Sequence, residues 1–395
     1  MSLTLDTKPI AQVFSDTASS YKPFWFRALL ECLKANWGSS PLPGRVIRVP
    51  AISIAREMLV AAWTPVCLFR LSLGQRDRLQ VACLHLQHTL HLSPSAPPAA
   101  LRNAISEDVF AESRLGWLLD FVPALFLSPW ILAELRPYKG GRERAKHAEL
   151  ICGKLASSSA PLPYFLDRQG GRLTIEIHGA WALYFHANIG ILDAFISHHL
   201  CVYLQVRNPY SPGIVRKLAI SGRRSLTLAR DFWKLALQRA SAPECEFLRT
   251  ELYSSRPIDS NISVDHYLPW TFVAHDQLWN LLPVLKETNS SKGDSIPADS
   301  HLSSLARLHW CAVNLLSDKP HWLSDHVAFL QRDVRQILAL DEGSFVEAFL
   351  SRLKPQVQLA RNHGFSSGWE WRARAPAPVS RRSNRSPERN LADPS

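Results

Sequence analysis

The sequence predicts an α+β chain, mostly α-helical, carrying one small module that mixes short strands with a helix. Three observations support this. Apolar residues recur at three- and four-residue spacing through most of the chain, the pattern of amphipathic helices. Strand-like material is confined to Gly170-Gly171 followed by RLTIEIHG and to the stretch 262–297. Breaks such as GSSPLPG after Trp37 and SPSAPPAA at 93–100 divide the helical pattern into pieces.

Taken in order, 21–37 has Phe24, Phe26, Leu29, Leu30 and Leu33 on a helical spacing, and 51–91 holds two more helical runs. The second run contains His85, His88 and His91, which drift round a helix and read as a solvated or packed helix face and not a metal cluster. The apolar run 115–135 leads into a Gly-Gly loop rich in Arg and Lys at 136–146. Residues 180–203 read as one or two largely buried helices, with His186, His198 and His199 as core histidines satisfied by their neighbours. Helical spacing returns at 301–316, 324–340 and 344–353, and Ser344 with Glu347 has the spacing of a capping box. Residues 374–395 are rich in Pro, Ser and Arg without aromatics and read as a disordered basic tail.

Composition narrows the function classes. A net charge of +11 favours a polyanionic partner, nucleic acid first. The seven cysteines never form a Cys-x-x-Cys pair, which argues against a disulfide framework or zinc ribbon and for a reducing, cytoplasmic setting. No phosphate loop of the Gly-x-x-x-x-Gly-Lys type is present. The apolar runs 58–73 and 115–133 are interrupted by Arg70, or by Asp120, Pro123 and Pro129, so no membrane span is expected. Between 202 and 256, ten Lys or Arg face four acids, which makes this run the candidate surface for tracking a nucleic-acid backbone. The next segment, 256–299, has three basic residues against six acids, so it is not itself a basic patch.

The stretch 262–297 reads ISVDHYLPWTFVAHDQLWNLLPVLKETNSSKGDSIP. Its Asp265-His266, Trp279-Asn280-Leu281 and Asn289-Ser-Ser-Lys292 resemble, in order and spacing, the HNH nuclease family in its Asp-His…Asn…Asn variant. That resemblance implies a ββα-metal module and metal-dependent phosphodiester hydrolysis. It also implies that Asn280 braces the loop carrying the base. The residue types suit the chemistry independently of the family. A neutral His266 can take a proton from water near physiological pH. Asp265 and Asn289 offer hard oxygen ligands, which suit Mg²⁺ or Mn²⁺ better than zinc. Lys292, three residues from Asn289 on a short helix, shares its face and could reach the same phosphate. Adjacent strand residues point to opposite faces, so Asp265 and His266 can serve one site only if the strand ends or bulges there. Positions 286 and 288 are Lys and Thr, so the zinc-binding cysteines of some family members are missing and flanking elements must hold the module.

The expected organisation is a helical N-terminal region of unknown role at 1–255, an HNH module at 256–299, a helical region at 300–373 and the tail at 374–395. The expected function is a metal-dependent HNH endonuclease acting on DNA, in bacterial defence or restriction, with other defence-system proteins as candidate partners. The alternative is a non-catalytic nucleic-acid- or partner-binding protein that keeps the HNH scaffold.

Overall fold

The computed structural model describes residues 5–15, 19–37, 46–75, 77–155, 162–219, 225–240, 247–258 and 262–372. The expected disordered tail at 374–395, together with Arg223, Arg224 and Cys245, lies outside them. Among the described residues helices dominate, and the strands form three small sheets.

Two hydrophobic cores organise the chain. The first runs from Ile10 to Leu218 and also takes in Ala274. Its centre is the helix Tyr21–Ala35, whose Phe24, Trp25, Phe26, Leu29 and Leu33 are fully buried. That helix packs on Ala51–Trp63. Two polar groups inside this core pair with each other: Trp25 Nε1 donates to Tyr164 Oη at 3.0 Å, and Tyr164 donates to the Pro123 carbonyl at 2.6 Å. A three-stranded antiparallel sheet closes one side, with β1 (Val46–Pro50), β2 (Tyr164–Gln169) and β3 (Arg172–His178) in the order β1-β3-β2. Gly170 and Gly171, at φ 57° and 79°, form the two-residue turn between β2 and β3; such turns require positive φ at both positions.

The second core runs from Ala229 to Phe365. It contains the strand pair β4 (Ser263–His266) and β5 (Leu281–Val284) and has no separate core for them. Val264, Leu281, Leu282 and Val284 share one cluster with Trp233 of the helix Thr227–Arg239, Leu305 of Leu302–Leu315 and Phe349 of Glu342–Asn362. Trp233 Nε1 donates to the Leu281 carbonyl at 3.1 Å, so a flanking helix holds the strand directly. Further on, β6 (Ile296–Pro297) pairs in parallel with β7 (Ser367–Trp369) and joins the last described stretch of the chain to the module.

Several expected elements differ in detail. The run 115–135 is broken into short helical pieces around Pro123 and Pro129, each of which takes the first turn of a new piece. The Gly-Gly loop expected at 136–146 gives way at Gly141 to the helix Gly141–Leu155. The last helix starts earlier than Ser344: Asp341 is its N-cap and accepts from Ser344 N at 2.8 Å. The capping box lies instead at Asp333 and Gln336. His85, His88 and His91 are exposed, and so is His198, while His186 and His199 are half-buried, so the last three are not the core histidines expected.

By length and composition alone, the helices Ala51–Leu68 and Ile189–Arg207 could cross a membrane, and Leu115–Leu125 with Ser128–Leu135 passes as a pair bent by 44°. The first is largely buried in the core, whereas Ile189–Arg207 is mostly unburied and leaves Ile191, Val202 and Val206 exposed.

Candidate active site

The five sequence-predicted residues all lie on or beside the β4–β5 hairpin and the helix Lys286–Lys292 that follows it. β4 pairs antiparallel with β5, Asp265 opposite Leu282 and His266 opposite Leu281, with no bulge. The strand then stops, because Tyr267 and Leu268 turn into Pro269 and the short helix Trp270–Val273. Asn280 fixes this exit. Its side chain is fully buried, accepts from Leu268 N at 2.8 Å and donates to the Leu268 carbonyl at 2.9 Å; its own carbonyl accepts from Tyr267 N. Asn280 therefore braces the loop after His266.

A regular strand sends neighbouring side chains to opposite faces, and that is the outcome here. Asp265 turns toward the helix Lys286–Lys292 and toward Tyr253. Its carboxylate is 4% exposed, and both oxygens lie 3.2 Å from Lys292 Nζ. Tyr253 Oη donates to Oδ2 at 3.0 Å. Burial raises the Asp265 carboxyl above its ordinary range, while Lys292, Tyr253 and His266 pull it back down. Burial, followed by the Asp265 charge, pushes the Tyr253 phenol up, so it keeps its proton and acts as donor.

Lys292 does not reach outward to a phosphate, which corrects the sequence expectation. It is 2% exposed, and its ammonium also donates to the His266 carbonyl at 2.7 Å. The three residues from Asn289 to Lys292 do place both on one helix, but the face they share is turned to β4. Asn289 Nδ2 donates to Ser263 Oγ at 2.9 Å and to the Val264 carbonyl at 3.3 Å. The helix ends at Gly293, whose φ of 52° with ψ of −129° is a conformation side chains resist.

The Asp265 carboxylate is thus taken up by Lys292 and Tyr253, and the Asn289 amide nitrogen by Ser263 and the Val264 carbonyl. A carboxylate sealed by an ammonium and a phenol has no open face for a hydrated dication, which keeps several waters and takes oxygen ligands at close range. As the side chains stand, this pair does not fit the Mg²⁺ or Mn²⁺ expected from the sequence. Among the described residues no group of three or more His, Cys, Asp or Glu side chains gathers as a metal site elsewhere.

His266 looks the other way. Its imidazole is 7% exposed, and Nε2 lies 2.8 Å from Asp276 Oδ1. Asp276 is the partner of His266 that sequence reasoning missed: it is ten positions downstream in an irregular loop, where spacing sets no geometry. The one available signal was an acid inside the span bounded by Pro269 and Asn280. His275 beside it is lowered to about 4 by burial and then by the charges of His266 and Arg216, so it stays neutral. Its ring sits 5.4 Å from Trp279.

Among the described residues, the basic run 202–256 does not form one surface. Lys217 is fully buried, Arg207 lies over the Tyr203 ring, Arg239 pairs with Asp318 and Arg256 with Glu287. Arg216, Arg230, Lys234 and Arg249 are exposed. Of these, Arg216 is the one whose charge reaches the candidate site, through His275.

Residues 250–298 match a protein-family model described as HNH endonuclease. Nothing among the curated proteins or the solved structures matches the chain.

Proposed function

Starting from a chain whose residues 250–298 belong to the HNH endonuclease family, we propose that it hydrolyses phosphodiester bonds in DNA with His266 as general base. The observation that supports this reading is the imidazole at the end of β4, held at 2.8 Å by the Asp276 carboxylate inside the matched segment. A neutral imidazole so placed can take a proton from water as the oxygen attacks phosphorus. Asn280 keeps the loop beneath it closed. The net charge of +11 and exposed Arg216 near the site favour an anionic substrate. We place the activity in bacterial defence or restriction, in the cytoplasm and with other defence-system proteins as partners, by analogy with free-standing proteins that carry this module.

HNH endonucleases are generally divalent-metal dependent, and a Mg²⁺ or Mn²⁺ requirement is proposed on that family ground alone, since Asp265 and Asn289 as they stand do not fit the ion. Because Asp265 is sealed, the roles derived above are those of the chain's own groups. The same sealed carboxylate favours a second reading, a non-catalytic nucleic-acid- or partner-binding protein that keeps the HNH scaffold.

Supercoiled plasmid incubated with the full chain and Mg²⁺ or Mn²⁺, with and without chelator, separates the two. The nuclease reading expects nicked or linear product that chelator abolishes, and a loss of about 10²-fold or more in His266→Ala. Unchanged cutting in His266→Ala overturns the base assignment, and cutting in chelator overturns the cation requirement. No cutting by wild type under either metal favours the scaffold reading.

A further inference from the structure

We propose that a cavity in the first core, between the starts of the helices Tyr21–Ala35 and Gly141–Leu155, binds a small amphipathic anion: an apolar chain or ring ending in a carboxylate or phosphate. The inference does not rest on the nuclease reading. It gives a role to the cationic Gly-Gly stretch at 136–146, which the candidate active site leaves unused.

Pro123 and Pro129 break the apolar run 115–135 into short helical pieces, and short pieces cannot cover one another's apolar faces as a continuous helix would. The gap they leave is a cavity of about 480 Å³, inside the range of roughly 300–1,000 Å³ usual for small-molecule sites. Phe121, Val122, Leu125 and Leu132 of that run make its apolar wall. Phe121 and Leu125 are half-buried and Leu132 is exposed, so the wall still meets water. Replacing that water with an apolar group is favourable in proportion to the area covered. This fixes one half of the ligand.

Charge fixes the other half. Among the described residues that line the cavity, Lys22 and Arg144 are basic and none is acidic. Arg144 is half-buried, and among the described residues its guanidinium has no hydrogen-bond or ion-pair partner. A partly desolvated guanidinium suits a carboxylate or a phosphate, which it can hold through two parallel N–H bonds. Gly140 and Gly141 line the same end, and a Cβ at either would meet nothing within 4 Å. The backbone there is open to close approach by a ligand head.

The walls are held in place without a ligand. Tyr138 stacks on His147 with ring centroids 3.6 Å apart, and His147 Nδ1 lies 2.9 Å from the Glu143 carbonyl, which fixes the first turns of Gly141–Leu155. That helix packs against Val122–Leu125. Trp130 Nε1 donates to the Asp6 carbonyl at 3.1 Å and ties the segment before the first helix to the same run. Tyr21 also lines the cavity, with its hydroxyl already taken by the Arg78 N–H at 3.0 Å. A preformed site loses little freedom on binding, which leaves more of the contact energy as affinity.

The test is isothermal calorimetry on the full chain with octanoate, octyl phosphate and 1-octanol. Both anions should bind saturably, one per chain, and octanol, which has the same chain and no charge, should bind more weakly by about tenfold or more. Whichever anion binds more tightly supports the proposal and identifies the head group. Arg144→Gln should weaken both anions by about tenfold or more and leave octanol unchanged, whereas Leu132→Glu should weaken all three. Arg142→Gln removes an exposed arginine of the same helix that does not line the cavity, and it should change nothing. Failure of both anions to bind saturably at millimolar concentration overturns the proposal. So does octanol binding as tightly as octanoate, and so does an equal loss in Arg142→Gln, which would trace the affinity to diffuse surface charge. Should Arg144→Gln lose its circular dichroism, Arg144→Lys, which keeps the charge and removes the two-pronged grip, takes its place. Its expected loss for the anions is smaller and of the same sign, and unchanged binding in that variant counts against the proposal.

Discussion

Lys292 shows how far one side chain can depart from what its spacing suggests. Its ammonium is buried against both oxygens of Asp265 and against the His266 carbonyl, so it ties the helix Lys286–Lys292 to the end of β4. Removing one partner of a buried ion pair leaves the other charge uncompensated, at a cost of about 3–5 kcal/mol. Lys292→Ala should therefore lower stability by that order in urea denaturation. The double variant Asp265→Asn with Lys292→Met should recover much of the loss, because neither charge is then stranded. Additive losses would refute the pairing. The residue types of the site and their order were legible in the sequence, because Asp265-His266, Asn280 and Asn289 fall on the family's spacing. Their directions were not. Direction depends on what stands opposite each side chain, and here that is Tyr253 before the stretch and Asp276 in an irregular loop.

Helices were legible from their apolar period, and their ends were less so. Tyr21–Ala35 and Leu302–Leu315 fall close to the predicted spans because each has a long apolar stripe and a clear break. Glu342–Asn362 runs on through Pro355, where local rules argue for a stop, and begins at an aspartate cap and not at the serine expected. Between these helices lies a pairing that no period predicts: His326 Nε2 and His309 Nδ1 lie 3.1 Å apart, both rings buried, between Phe232, Trp233 and Phe349. Their remaining nitrogens, His309 Nε2 and His326 Nδ1, have no hydrogen-bond partner. Burial lowers His326 to about 4, and burial and then His326 lower His309 well below its usual value. The unfolded chain binds protons on both rings near pH 6.5, before the folded one does. Stability is therefore intact above about 6.5 and lost as pH falls toward 4. His309→Phe, which removes one ring from that exchange, should flatten the loss of stability between pH 6.5 and 4 in denaturation curves. An unchanged slope would show that other groups set it.

At the scale of the whole molecule, the two cores meet where the chain passes from the first to the candidate site. Phe69 of the first lies 5.4 Å from Trp270, and Arg70 donates to the Gly364 carbonyl at 2.9 Å. Gly213 sits so close that a Cβ there would come within 3.1 Å of the Val273 carbonyl oxygen. At this seam Lys217 is fully buried, 5.8 Å from the Phe69 ring and 5.7 Å from the Phe272 ring, and its ammonium donates to Ser211 Oγ at 2.7 Å. Burial lowers it from 10.5 to about 7. Below pH 7 the lysine is charged in both states, and the fold bears the full cost of a buried ammonium. Between 7 and 10.5 the folded chain sheds its proton first, so the unfolded state binds more protons and stability rises with pH. Above 10.5 both states are neutral and the cost is gone. Lys217→Met keeps much of the volume and removes the charge, so it should exceed wild type at pH 7 by about 1–3 kcal/mol. That gap should close as pH approaches 10. Because the side chain touches Phe69 of one core and Phe272 of the other, the gain should appear in both unfolding transitions if the cores melt separately. A Lys217→Met chain no more stable than wild type at pH 7 would mean that the ammonium is compensated in solution and that the seam does not bear this cost.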